Sequence, residues 1–396
     1  QGVKVNLDLQ KFVERSSGVF GKSGTGKSFI TRTILLGIIR ARAAVNLIFD
    51  MHNDYGWEVI DEHKKRFRGL RQLFSDGRVQ VITLDPDTSR HRGSKVDHVL
   101  QIGLNQIEPE DVDMLSGILG LSEVQVGALY YISRKLKQRN KNWIAELLDE
   151  NSTEINEIED SEMVQKGTLR AIQRKFELFR RFGFLTPSAS DEAVDYVFNA
   201  LNRGTNIVLE FGVYGNTLAA YVLVANFLTR RIHRKYVEQK NKAAGKGGDE
   251  PLPLVITIEE AHKFLDPEIA QHTIFGNIAR ELRKYNVTLL IVDQRPSGID
   301  EEVMSQIGTR VTCLLDNEAD IKAVFSGVSG AGQLREVLAR LDTQQQALIL
   351  GHAVPMPVVV KTRDYDEALY AAVGFADEAA AREKRKKDKA ALYGEG

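Results

Sequence analysis

Eight residues near the start of the chain, Gly21-Lys22-Ser23-Gly24-Thr25-Gly26-Lys27-Ser28, limit its possible folds more than any other stretch. They fit the pattern G-x-x-x-x-G-K-[ST] in full. Each position has a chemical reason. The glycines let the backbone turn tightly enough for several N–H groups to converge on phosphate oxygens. Lys27 brings a point charge to the β- and γ-phosphates, and Ser28 offers a hydroxyl to Mg²⁺. A helix starting here would turn its positive end toward the anion. The flanks agree: Ser17-Gly18-Val19-Phe20 reads as a short strand, and Ile30, Ile34, Leu35 and Ile38 fall at helical spacing after the loop. ATP and Mg²⁺ are the expected cofactors, with Gly21 through Ser28 and the next residue, Phe29, as the binding segment.

The rest of the chain alternates in the same way. Val45–Asp50, Val79–Asp85, Asn206–Phe211, Leu254–Ile258, Val287–Val292, Val311–Leu315 and Ala347–Leu350 read as short apolar strands between longer helical patterns. That alternation predicts an α/β fold with a mainly parallel sheet. Residues 105–200 differ, being charged, helical in pattern and poor in β-branched runs. Glu108-Pro109-Glu110 marks a helix start there. This stretch reads as an inserted helical subdomain, with its acidic middle, Asp149–Glu162, as a loop. The expected division is 1–104 for the first part of the core, 105–200 for the insert, 201–362 for the second part, and 363–396 for a helical, basic tail. Asn241–Pro253 reads as a mobile linker. The run Arg382–Lys389 reads as a solvated helix end, with contact to DNA or an acidic partner as the alternative.

A phosphate loop needs an acid at the end of a second strand, beside Mg²⁺, and a group that orients the attacking water. Leu254-Val255-Ile256-Thr257-Ile258-Glu259-Glu260-Ala261-His262 supplies both. Glu259, where many such enzymes have Asp, is assigned with Ser28 to the metal, and Glu260 to the water. His262 reads as a structural residue at a helix start, with a ligand role as the alternative.

Several blocks together resemble a known family. Gly21–Ser28, Ile48–Tyr55, Glu259–His262, Ile278–Tyr285 and Asp293–Ser297 are similar in order and spacing to the HerA branch of the HerA/FtsK superfamily, over roughly residues 5 to 362. That resemblance implies a RecA-like core and hexameric rings with ATP sites between subunits and DNA in the central channel. It implies a DNA translocase or helicase working with a nuclease in DNA end processing or in defence against foreign DNA. The alternative is a ring scaffold whose ATP binding controls an effector enzyme with little translocation. A conjugative coupling ATPase is a third reading, but those usually carry a membrane anchor. By position, Gln294 looks like the residue that senses the γ-phosphate. Arg280 and Arg283, at i and i+3, are candidates for an arginine finger into the neighbouring subunit, Arg283 first, against the alternative of a solvated basic face. Asp50, His52 and Asp54 would couple the nucleotide site to DNA loops or order the interface. Departures from the family are Asp54 where Glu is commoner, Glu210-Phe211-Gly212 where a Ser-Gly pair is common, and about 20 residues before the loop where relatives carry a small β-barrel.

Composition narrows the partners. Hydrophobic residues are 43% and charged residues 27%, the balance of a soluble globular chain. No apolar run reaches the length of a membrane span, and Gln1-Gly2-Val3 has no signal-peptide character, so a cytoplasmic protein is expected. The formal net charge is −1, so any DNA contact must come from locally concentrated basic residues, as on a ring lumen. Cys313 is the single cysteine and reads as a buried structural thiol.

Overall fold

The chain's alternation of short apolar runs with amphipathic stretches leads to one large sheet covered on both faces. The computed structural model describes residues 3–374 apart from 61–63, 162, 190–191, 272, 282–283, 329 and 343–344. The main sheet has ten strands. In chain order they are β1 (Ser17–Phe20), β2 (Val45–Asp50), β3 (Val79–Thr83), β4 (His98–Val99), β5 (Asn206–Glu210), β6 (Leu254–Glu259), β7 (Val287–Asp293), β8 (Thr309–Thr312), β9 (Gln346–Gly351) and β10 (Val358–Lys361). Across the sheet they run β10-β9-β8-β1-β7-β6-β2-β5-β3-β4. All pair in parallel except at one edge, where β9 is antiparallel to both β8 and β10. The fold is thus the α/β, mainly parallel one expected.

Central strands buried on both faces read as unbroken apolar runs, because neither side meets water. Leu47 and Phe49 of β2 pack into one core layer and Ile48 into the other. The helix after β1, α1 (Lys27–Ala41), fills the second layer with Leu35, Ile38 and Ile39.

Between β4 and β5 the chain forms a helical layer: α2 (Pro109–Asp113), α3 (Glu123–Gln138), α4 (Trp143–Leu148), α5 (Thr153–Asp160), α6 (Lys166–Phe176) and α7 (Glu192–Asn202). Leu129, Ile132, Ile144, Leu169, Ile172 and Phe176 are fully buried among them. Helix α5 corrects the expected loop at 149–162. Ser152 caps it by accepting the Ile155 N–H at 3.1 Å, Ile155 and Ile158 bury its apolar side, and Glu154 and Glu159 are ion-paired, with Arg139 and Lys166 among their partners. Helix α7 packs instead on β5 and β2.

The long α8 (Leu218–Lys246) follows β5 and runs into the segment expected to be a linker. It is tied to α2 by Arg230 and Arg231, both bonded to the fully buried Asp111. Helix α9 (Ile274–Glu281) leads toward β7. Strand β8 starts two residues earlier than expected, and β10 was not anticipated. Arg382–Lys389 lies outside the described residues. Among the described residues no helix is long and apolar enough to cross a membrane.

Candidate active site

Parallel α/β sheets place ligands at the carboxyl ends of their strands, where loops cross and helix N-termini begin. The loop from β1 to α1 forms there. Gly24 and Gly26 adopt φ of 78° and 91°, a left-handed backbone that other residues rarely take. Gly21 passes so close to β8 that a Cβ would lie 2.7 Å from that of Cys313. Its N–H donates to Asp293 O at 3.3 Å, and the Lys22 N–H donates to Leu314 O at 3.1 Å, so β7 and β8 hold the loop's first turn. Cys313 is buried beneath it, as expected, and burial pushes its thiol up to about 11.

The Lys27 ammonium donates to Lys22 O at 2.9 Å, the same oxygen that accepts the Thr25 hydroxyl at 2.8 Å. Burial lowers the Lys27 pKa, against the nearby charges of Asp293, Glu260 and Glu259, which raise it. Lys22 turns outward to pair with Asp316 at 2.8 Å. The half-buried Ser28 lies in the first turn of α1, and Ser23 is exposed. The Phe29 ring is committed elsewhere: its centroid lies 4.6 Å from that of Phe67 and 5.9 Å from that of Tyr365, with the buried Arg32 over it.

Glu259 is the last residue of β6 and Glu260 the first of the turn. Glu260 sits at φ 50°, ψ 45°, a left-handed conformation that costs a non-glycine residue about 1–2 kcal/mol. Its surroundings hold it there. Gln294 Nε2 donates to Glu260 Oε1 at 3.1 Å, and the Lys263 N–H donates to Glu260 O at 2.8 Å. The His262 N–H donates to the buried Asp293 at 2.8 Å, with its ring Nδ1 at 3.0 Å from the same oxygen. His262 is thereby a lock on the turn. Gln294, assigned to the γ-phosphate only by family likeness, is in direct contact with Glu260.

The Glu259 carboxylate is buried, with Oε1 accepting from the Tyr55 hydroxyl at 3.0 Å and Oε2 without a partner. Burial, and then the negative charge of Asp50, raise its pKa to about 8. A buried acid with a free oxygen and a half-buried serine hydroxyl in the phosphate loop suit Mg²⁺, which takes one or two protein ligands and otherwise phosphate oxygens and water. Among the described residues there is no group of three or more His, Cys, Asp or Glu side chains able to hold a metal by themselves, so a self-contained metal cage is not formed.

Of the two arginines, Arg280 is engaged within its own chain. Its Nη2 donates to Ala270 O at 3.0 Å and to Asn277 Oδ1 at 3.2 Å. Arg283 lies outside the described residues.

The sequence reading missed a second row of contacts. Asp50 ends β2 next to Glu210 of β5, its direct partner in register. Asp50 is fully buried and gathers the N–H groups of the following loop: Asp54 at 2.6 Å, Tyr55 at 2.8 Å and Gly56 at 3.1 Å. Burial raises its pKa to about 6, against those three donors. Burial and the Asp50 charge push Glu210 up to about 8. A Cβ on Gly56 would meet Glu210 Oε1 at 2.7 Å, which explains a glycine there. A strand ending in Asp followed within six residues by Tyr-Gly was the available signal.

Comparison with known proteins places this geometry. A family model described as helicase HerA, central domain, matches residues 1–232 of the 396. The chain belongs to this HerA family. The DNA double-strand break repair helicase HerA of Pyrococcus furiosus is 23% identical to it, over 92% of this chain and 68% of that protein. The protein of the same description from Saccharolobus solfataricus is 25% identical, over 91% and 66%. This chain therefore spans about two thirds of the length of those HerA relatives. Among solved structures, VirB4 of Thermoanaerobacter pseudethanolicus superposes with a TM-score of 0.56 at 12% identity, over 89% of this chain and 90% of that one. The bacterial conjugative coupling protein TrwB does so with 0.55 at 11%, over 92% and 89%, and these two show the shared fold. With the full phosphate loop, the strand-end glutamates and the HerA family match together, the chain is an ATPase.

Proposed function

We propose that this HerA-family chain hydrolyses ATP to move DNA, as a subunit of a closed, hexameric ring that works with a nuclease in DNA end processing or in defence against foreign DNA. The observation that carries the ATPase half is the contact of Gln294 with Glu260. A hydrolysing site must hold a water in line with the γ-phosphate, and a carboxylate already anchored by an amide is set to do so with little reorganisation. Lys27 would neutralise the β- and γ-phosphates, and Glu260 would orient the attacking water, with Gln294 fixing its carboxylate. Ser28 and Glu259 would hold Mg²⁺, which, when bound, spreads charge away from the phosphate oxygens. Arg283 of a neighbouring subunit remains the assigned finger, since Arg280 already serves its own chain. Residues 1–104 and 201–362 form the motor core in this reading, and 105–200 the helical insert. The names of the relatives, repair helicases, support the DNA half.

The test separates the two halves. Lys27→Ala should abolish ATP binding. Glu260→Gln should keep binding and lower turnover by about 10²–10³-fold, the range for losing one such group. Wild-type hydrolysis should rise with added duplex DNA, and DNA affinity should fall steeply with salt as phosphate contacts are screened. Turnover by Glu260→Gln at the wild-type rate would overturn the assignment of Glu260. ATPase activity indifferent to DNA would instead favour the scaffold.

A further inference from the structure

Two buried tyrosines grip Glu259, and they hold different parts of it. The Tyr221 hydroxyl accepts the Glu259 N–H and donates to the Glu259 carbonyl, each at 3.0 Å, so it fixes the backbone at the strand end. The Tyr55 hydroxyl donates to Glu259 Oε1 at 3.0 Å, so it fixes the carboxylate. Both rings are fully buried. Oε1 is engaged, and Oε2 has no hydrogen-bond partner among the described residues.

We propose that Tyr55 is a positioning residue for ATP hydrolysis: by occupying Oε1 it sets the Glu259 side chain so that Oε2 is the oxygen offered to the metal shell. The proposal rests on the reading of Glu259 as the metal-side acid. A carboxylate with no second anchor would swing about its side-chain bonds and be ordered only when the cation arrived. Hydrogen-bond partners behind metal ligands typically change metal affinity by 10–100-fold when removed.

The position of Tyr55 is itself determined. Its N–H donates to Asp50 Oδ2 at 2.8 Å, and the N–H groups on either side also end on Asp50. Farther along, Asn53 Oδ1 accepts the Gly212 N–H at 3.1 Å, and Arg92 donates to Asn53 O at 3.1 Å. The turn after Gly212 exposes Val213. The hydroxyl that holds Glu259 is thus placed by a loop stretched across the ends of β2 and β5, and displacement of that loop would reach the metal-side acid through one bond.

The experiment uses the full chain, a fluorescent non-hydrolysable ATP analogue, and Mg²⁺ titrated from a chelated start. Tyr55→Phe should raise the half-saturating Mg²⁺ for analogue binding about tenfold. Affinity without Mg²⁺ should stay within about twofold of wild type, since no phosphate contact is lost. Tyr221→Phe is the matched comparison: equally buried and bonded to the same residue, it should lower the melting temperature more than it moves the Mg²⁺ requirement. Equal shifts in the two variants, or an unchanged requirement in Tyr55→Phe, would overturn the proposal. Glu259→Gln separates the layers. If it leaves the Mg²⁺ requirement unchanged, the reading of Glu259 fails. If it raises the requirement and Tyr55→Phe does not, the Tyr55 proposal alone fails. Should Tyr55→Phe not fold, Asp50→Asn, which loosens the loop but keeps the hydroxyl, must raise the requirement instead; no change there would also sink the idea.

Discussion

Asp111 and Glu259 are both sealed from solvent, yet their surroundings are opposite. Asp111 meets two guanidinium groups, Arg230 at 2.6 Å and Arg231 at 3.1 Å, and also accepts the Glu108 N–H at 2.9 Å. Glu259 meets a tyrosine hydroxyl and, among the described residues, no cation within ion-pair distance. Its neighbours at the strand ends, Asp50 and Glu210, are buried carboxylates as well. Taking a carboxylate out of water costs several kcal/mol, and only close opposite charge and hydrogen bonds recover it. Where the chain recovers it internally, the group acts as a clamp between α2 and α8. Where it does not, the group stays uncompensated at the sheet's carboxyl edge, and under the proposed function a cation brought with the nucleotide would compensate it. With pKa values of about 6 for Asp50 and about 8 for Glu210 and Glu259, one of the three is mainly ionised at neutral pH.

The difference can be tested by removing the groups. Asp111→Ala leaves the largely buried Arg231 without its carboxylate and Arg230 with only Glu108 and Glu110, and breaking a buried pair costs about 3–5 kcal/mol. Chemical denaturation should show a lower midpoint, and the Mg²⁺ requirement of any folded fraction should be unchanged. A loss below about 1 kcal/mol, the scale of exposed pairs, would mean that water reaches the junction and that the contrast is false. Asp50→Asn should be milder. One side of the new amide is a donor facing backbone donors, so one or two N–H groups of the 54–56 loop lose their acceptor, at about 1–3 kcal/mol. Hydrogen exchange should rise at residues 53–56 before it rises in the strands.

These contrasts were unevenly legible in the sequence. The phosphate loop and Glu259-Glu260 were visible because their chemistry is local: the residues that act together are adjacent or separated by one strand. Most strands were visible because a strand buried on both faces is a short apolar run. The Asp50–Tyr55–Glu259 connection was not, since Tyr55 and Glu259 lie 204 residues apart and meet only because β6 pairs with β2. Periodicity reveals that strands exist and is silent on which of them are neighbours. The misreading at 149–162 had another cause. The acidity of the stretch reads as a loop signal, although Ser152 followed by Ile155 and Ile158 has the cap and spacing of a short amphipathic helix. Strand β10 was missed because its burial alternates at an exposed edge over four residues.

Glu210 gives the sharpest sign. Its pKa in the fold is about 8, through burial and then the Asp50 charge, against an ordinary value of 4.5. Between those two values the folded chain holds a proton that the unfolded chain has released. Stability therefore falls as pH rises through that window, because proton binding favours whichever state binds more. Below pH 4.5 both states are protonated and Glu210 contributes no slope. Above about 8 the loss is complete. Glu210→Gln keeps the size and polarity of the group and cannot ionise, so it removes this loss. In chelator, where Glu259 and Asp50 add slopes of the same sign, the variant's melting temperature should equal the wild type's near pH 4.5. It should exceed it by a few degrees near pH 8.5, the difference growing steadily between. The comparison with Asp111 makes the prediction strict, because there removal of the carboxylate destabilises at neutral pH. If Glu210→Gln were instead less stable than wild type at pH 8.5, Glu210 would be ionised and matched by a cation, and the two buried regions would be built alike.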